Sequence, residues 1–274
     1  MKPSATVCVA VLLMSAGMVS SRAQSNAESK PSQKPMAADA DPVFAVASIK
    51  PSPTGPRNKG IRIVGHRLSG TNQTVSDLIG YSYGVQRSQI SGGPQWLESE
   101  LFDVLAEPDG EGQPSNQQWT IMVQKLLTDR FKLAFHREKK EMSVFTLALA
   151  KGGPKLTPSA DDPNGFPSFA SRLGNVVARN ANMDDFAGLM QYGLDRPVLN
   201  QTGLTGKFDF DLNWTPDDFQ LAVRGIKPPP IVDPDKAPPN QYIAIQEQLG
   251  LKLESTKAPA DVLVIDHVEE PSPN

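Results

Sequence analysis

The sequence predicts an α+β protein built from repeated helix-plus-β-hairpin (αββ) units. These form two pseudo-equivalent βαββαββ halves, with antiparallel or mixed sheets and helices on one face. Three observations lead there. The first is an internal echo. Leu68 to Leu78 reads L-S-G-T-N-Q-T-V-S-D-L and Val176 to Phe186 reads V-V-A-R-N-A-N-M-D-D-F. At a constant offset of 108 positions, Asn72 meets Asn180, Asp77 meets Asp185 and Leu78 meets Phe186. Such self-similarity marks a chain assembled from copies of one supersecondary unit. The second observation is a set of four helix patterns, each with its own start signal. The third is that each helix pattern is followed by two β-rich stretches separated by turn-forming residues.

Taken in order, Val43 to Lys50 reads as a leading strand and Thr74-Val75-Ser76-Asp77 as the capping box of the first helix. Ser115-Asn116-Gln117-Gln118 opens the second helix in the same way, and Trp119, Met122, Val123, Leu126 and Leu127 make its apolar stripe. Asn182 and Asn240 are expected N-caps of the third and fourth helices. Gly84, Gly193 and Gly250 stand where left-handed C-caps are wanted, and Asp129-Arg130-Phe131 ends the second helix instead. Four hairpins are expected. Gln89–Ser91 would pair with Leu101–Ala106, and Lys132–Arg137 with Ser143–Ala150 across the charged turn Glu138-Lys139-Lys140-Glu141. Pro197–Gln201 would pair with Lys207–Trp214, and Leu251–Ser255 with Asp261–Val268 across Lys257-Ala258-Pro259.

The boundaries that follow are a signal peptide at 1–23, a flexible leader at 24–41, halves at 42–156 and 175–268, a linker at 157–174 and a tail at 269–274. A Pro-rich loop at 215–239 interrupts the second half. Lys2, the short apolar run Ala5–Val19 and the small residues Ser21-Arg22-Ala23 give the signal-peptide pattern, with cleavage expected after Ala23. Cleavage removes Cys8, the only cysteine, and takes the formal charge from −3 to −5. The exported chain then has no disulfide, no thiolate nucleophile and no cysteine metal ligand. Mild acidity without a Lys/Arg run argues against nucleic acid as a partner, and no second long apolar stretch predicts a transmembrane segment. The expected location is the periplasm or the outside of the cell.

Several stretches are similar to one family. They are F-A-V-A-S-I-K-P-S from Phe44, Q-I-S-G-G-P-Q-W-L from Gln89, L-L-T-D-R-F-K-L-A-F-H-R-E from Leu126 and A-K-G-G-P-K-L from Ala150. They continue with R-P-V-L-N-Q-T-G-L-T-G-K-F-D-F from Arg196 and L-G-L-K-L-E-S-T-K-A-P-A-D-V-L-V-I-D-H-V-E from Leu249. The chain resembles a soil-associated family of secreted bacterial proteins of unknown function, expanded in acidobacteria and sometimes joined to an antibiotic-sensor-type membrane metallopeptidase. The resemblance implies export and no assigned activity. That family usually carries an acidic residue where this chain has Asn200, and often one at Ala45, so chemistry resting on either carboxylate is not expected here.

Candidate site residues are few. His66, His136 and His267 lack metal-ligand spacing, so neither a metal nor a cofactor is expected. Asp209 and Asp211 alternate with Phe208 and Phe210, which puts both carboxylates on one strand face. They read as the solvated side of a half-buried strand, with an acid/base pair or half a cation site as the alternatives. Ser91-Gly92-Gly93-Pro94 lacks the strand–turn–helix context of a nucleophile elbow and reads as a tight turn that lets Trp96 pack. Thr202, Gly203 and Gly206 belong to a second turn. The candidate binding set is therefore Gly92, Gly93, Pro94, Trp96, His136, Thr202, Gly203, Gly206, Asp209 and Asp211, with no catalytic assignment. The expected function is a non-enzymatic binding module with an unidentified protein or cell-envelope partner, docked between the halves or along a strand edge. The alternative is a secreted hydrolase with a dispersed carboxylate/His site. A turnover lost in Asp209→Asn or His136→Ala would mark that alternative.

Overall fold

Two local motifs set the frame. Strand β3 (Arg67–Gln73) runs into helix α1 (Val75–Tyr83), and strand β9 (Asn175–Ala181) runs into helix α4 (Met183–Gln191). These are residues of a computed structural model that describes 34–53, 58–162, 165, 167–223, 226–227 and 237–271. The expected signal peptide and the first part of the leader lie outside the described residues. Asn72 and Asn180 each adopt φ 53, the left-handed region that short polar side chains tolerate best after glycine. Each donates its backbone N–H to a carboxylate on the neighbouring strand, Asp103 at 3.1 Å and Asp209 at 2.8 Å. Both sit where the strand register slips, so the echo in sequence is a bulge that redirects the chain into a helix. Thr74 with Asp77, and Asn182 with Asp185, then close complete capping boxes. Leu78 and Phe186 are both fully buried.

The fold is mixed α/β, with three four-stranded sheets among the described residues. The first has the order β1-β5-β3-β2 and is antiparallel throughout, with β1 at Phe44–Pro51, β2 at Gly60–Val64 and β5 at Phe102–Pro108. The third has the order β7-β11-β9-β8, also antiparallel, with β7 at Thr157–Pro158, β8 at Ser168–Arg172 and β11 at Phe208–Asn213. The central sheet is mixed. Its middle is an antiparallel ladder of β6 (Ala134–Leu149) and β12 (Leu251–His267). β10 (Val198–Asn200) runs parallel beside β6, and β4 (Ile90–Gly92) runs parallel beside β12.

This arrangement overturns all four expected hairpins. β4 and β5 belong to different sheets, as do β10 and β11. The other two hairpins are single uninterrupted strands of 16 and 17 residues that pair with each other. Glu138-Lys139-Lys140-Glu141 contains no residue with positive φ, which a tight hairpin turn requires. Its charges are instead used across the ladder and along it. Lys139 Nζ lies 2.9 Å from Asp261, and Lys140 Nζ lies 3.3 Å from Glu138. Pro259 is registered with Glu141, where neither β4 nor β10 reaches and the ladder is two strands wide. Such an edge position tolerates proline.

Two hydrophobic cores result. The first packs α1 and α3 (Asn116–Phe131) against the first sheet, and it contains Leu133 next to β6 together with Leu263 and Ile265 from the far end of β12. The second packs α4, α6 (Gln241–Ala244) and the π-helical turn Ile245–Leu249 against the third sheet. It contains Leu251 and Leu253 from β12 together with Phe145 and Leu147 from the far end of β6. Each core thus receives strand residues from both the 42–156 and the 175–268 segments.

Smaller expectations are also corrected. The left-handed cap of α3 is Lys132 at φ 52, not Asp129, and α4 ends in right-handed Tyr192 with no positive φ at Gly193. Gly84 and Gly250 do serve as left-handed caps. The last residues of the expected leader are docked. Met36 is buried, its N–H donates to Gln113 at 2.9 Å, and Lys125 pairs with Asp41 at 2.6 Å. Part of the expected linker supplies β7 and β8. The Pro-rich loop contains α5 (Asp218–Val223), and Pro228-Pro229-Pro230 lies outside the described residues. Tyr242 is 41% exposed, so Ala244, Ile245 and Leu249 carry the core contacts there.

Candidate binding cleft

The residues singled out in the sequence are placed at separate points. Gly92 and Gly93, at φ 77 and 76, turn the chain from β4 into the short helix α2 (Trp96–Ser99). Gly93 holds a left-handed φ that other side chains rarely adopt, so glycine is a backbone requirement there. Pro94 accepts the Leu97 N–H at 3.2 Å, and Trp96 packs half-buried on the first core. At the opposite edge of the central sheet, Asn200 Oδ1 accepts both the N–H and the hydroxyl of Thr202, which organises the Gly203 and Gly206 turn. Asn200 also donates to Asp184 at 3.0 Å. The two glycine turns therefore do not converge.

Asp209 accepts the Asn180 N–H and the Ser159 hydroxyl, and the backbone bond is the main reason its carboxyl lies below the usual range. Asp211 pairs with Arg179 at 2.8 Å on the exposed face of β11. His136 is exposed on β6, 3.2 Å from Glu138 and 2.8 Å from Asp266, and those bonds hold its pKa above the ordinary histidine value. His136 follows Phe135 of the first core, whereas Asp209 lies between Phe208 and Phe210 of the second. A carboxylate/His site built from them has no common location.

A different place gathers polar and aromatic side chains. It lies where the C-terminal ends of α1 and α4 meet. A helix end leaves carbonyls without intrahelical partners, and here each helix satisfies those of the other. Gln86 Nε2 reaches the carbonyls of Gln191, Leu194 and Arg196 at 2.7, 3.0 and 3.0 Å. Gln191 Nε2 donates to the Gly84 carbonyl at 2.7 Å. This reciprocal clamp floors a cleft of about 450 Å³. Its walls include Ile61, Asp77, Tyr81, Arg87 and Tyr192.

The charges at its rim are arranged in pairs, Lys59 with Asp77 at 2.6 Å and Arg87 with Glu98 at 2.6 Å. Burial, with a smaller contribution from Tyr192, pushes the Tyr81 phenol up to about 12. Ser76 also lines the cleft, and its hydroxyl is buried with no hydrogen-bond partner among the described residues. On the other side of β2 lies a second, larger concavity of about 700 Å³. It is lined by Asn58, Lys59, Arg62, Val64, Ser69 and Thr71. β2 is an edge strand, with Ile63 and Val64 exposed. The sequence marks no motif at Tyr81, Gln86 or Tyr192. The available signal is a polar-tipped aromatic or amide near the C-terminal end of a helix, which is too common to single out.

Among the described residues, no group of three His, Cys, Asp or Glu is gathered as metal ligands would be. No described helix is long and apolar enough to cross a membrane. No curated protein and no solved structure matches the chain. A family model does match, over residues 76–268, which include the cleft residues from Ser76 to Tyr192 and the whole β6–β12 ladder. The chain belongs to the family described as Protein of unknown function (DUF3738).

Proposed function

We propose that the chain is an exported, non-enzymatic binding module that holds an extended segment of a protein partner in the cell envelope or outside the cell. The observation that carries this reading is edge strand β2 with a concavity on each face. A peptide strand added to an edge gains main-chain hydrogen bonds, and its alternate side chains point to opposite faces. One set would enter the Tyr81/Tyr192 cleft. The other would lie over Arg62, which makes no ion pair among the described residues. Aromatic residues and arginine are the side chains that dominate binding hot spots. Ile63 and Val64 leave the edge apolar, without the proline or dense charge that blunts such edges.

The same reading treats the module as two copies of one βαββαββ unit. The paired Asn72/Asn180 bulges and the paired Thr74/Asn182 caps, each 108 positions apart, support this. Export rests on the N-terminal pattern. Mass spectrometry of the secreted chain should find Gln24 as its first residue, and a chain retaining residues 1–23 would refute export with cleavage. The binding test is selection of a randomised-peptide display library on the mature protein. Enriched peptides should lose at least tenfold in affinity to Tyr192→Ala and to Arg62→Glu, with the melting temperature unchanged. Failure to enrich, or enriched peptides indifferent to both substitutions, would remove the β2 cleft as the binding site.

A further inference from the structure

We infer that the second core contains a site for a small uncharged molecule with an apolar body and one hydrogen-bond acceptor. The site is a cavity of about 100 Å³ walled by Val176, Leu189, Met190, Trp214, Gln220 and Gln241. It is separate from the β2 cleft, with Tyr192 bordering both. Its distinctive feature is a buried relay whose direction is fixed by chemistry. An indole nitrogen can only donate. Trp214 Nε1 donates to Gln220 Oε1 at 2.9 Å, so the carboxamide of Gln220 must present its oxygen to Trp214. Its Nε2 then donates to Gln241 Oε1. That leaves Gln241 Nε2, two N–H groups, at the end of the chain, and its partner is the Met190 sulfur at 3.6 Å.

A thioether is a weak acceptor. Gln220 and Gln241 are only 6% and 5% exposed, so water cannot readily make up the difference. A buried donor without a good acceptor is costly, and a ligand oxygen placed there would recover that cost. The deeper walls are apolar, and the exposed Ser171 and Arg172 border the opening. Val176, Met190 and Trp214 are each under a tenth exposed. An apolar cavity of roughly 150 Å³ holds benzene, so about 100 Å³ encloses roughly four heavy atoms, and a five-membered ring with one substituent would extend to the opening beside Ser171 and Arg172. A cyclic ketone meets the size and the chemistry. A carboxylate suits the site less well, because Arg172, the cation in the lining, is exposed, and a charge taken in to Gln241 would exchange water for neutral N–H donors.

The test compares two isosteres, cyclopentanone and methylenecyclopentane, on the full mature chain. The readout is the indole N–H resonance of Trp214, assigned with Trp214→Phe. Cyclopentanone should shift it saturably, and methylenecyclopentane should bind at least fivefold more weakly. Gln241→Leu should abolish that preference, while Met190→Leu should keep it. If Gln241→Leu fails to fold, the wild-type comparison and Met190→Leu still decide. No saturable shift with either probe, or equal binding of both, would overturn the inference. Neither result bears on peptide capture at β2, which is read on different residues.

Discussion

At the residue scale, the asparagines that repeat in the sequence do so because backbone geometry demands them. Asn180 holds φ 53 and also donates its carboxamide to the carbonyls of Asp162 and Gly165 at 2.8 and 3.2 Å. Asn180→Ala should therefore destabilise by about 2 kcal/mol, combining a left-handed alanine with lost hydrogen bonds. Asn180→Gly should cost roughly half as much, since glycine removes only the second term. Urea denaturation of the two variants measures the order, and equal losses would show that the backbone is not the constraint.

Titration gives a second check at this scale. The folded pKa of His136 is raised, chiefly by Glu138 and then by Asp266. Its contribution to stability is present below the ordinary histidine value of about 6.5 and is lost as pH rises through the folded value. Proton resonances of His136 should show a midpoint that falls in Glu138→Gln. Tyr81 behaves alike at the alkaline end. Its neutral form is favoured by burial, so the contribution holds below the ordinary tyrosine value of about 10 and is lost towards about 12. Tyrosinate absorbance should show Tyr81 ionising last, and Tyr81→Phe should remove that final step.

At the element scale, helices were legible and strand partners were not. The caps Thr74, Ser115, Asn182 and Asn240 all act as the sequence predicts, because capping is settled within four residues. Strand pairing is settled by residues far apart, and a run of charge imitates a turn. Lys139 and Lys140 show the difference. Their neighbours supply no glycine, asparagine or aspartate for a positive φ, and their partners Asp261 and Ala260 lie more than a hundred positions away. Substituting Asn-Gly for Lys139-Lys140 would install the turn chemistry that the ladder rejects. The double variant should lose about 1–2 kcal/mol, from glycine in a strand interior and the broken Lys139–Asp261 pair. An unchanged or higher urea midpoint would mean that a hairpin is the better local structure after all. The candidate cleft was illegible for the same reason. Tyr81 and Tyr192 are brought together by packing between helices rather than by spacing.

At the scale of the whole molecule, the ladder makes the two cores interdependent. The first core holds Leu263 and Ile265, and the second holds Phe145 and Leu147. Cutting the chain between Ala150 and Leu156 would leave each fragment without two large side chains that its core buries. Each missing Leu, Ile or Phe costs about 2–5 kcal/mol when truncated to alanine. Two such losses equal most of the roughly 5–15 kcal/mol that a domain has in total. A fragment of residues 34–156 should therefore not fold cooperatively as a monomer. It would also expose Val144, Phe145 and Leu147 at the end of a strand without a partner, so its association should depend on concentration. Mixing it with residues 157–274 should restore the ladder and give a 1:1 complex. Circular dichroism melts and sedimentation of each fragment, alone and mixed, test this directly. If residues 34–156 melt cooperatively as a monomer at the temperature of the intact chain, the strands contributed by β12 are dispensable and the two cores are independent domains.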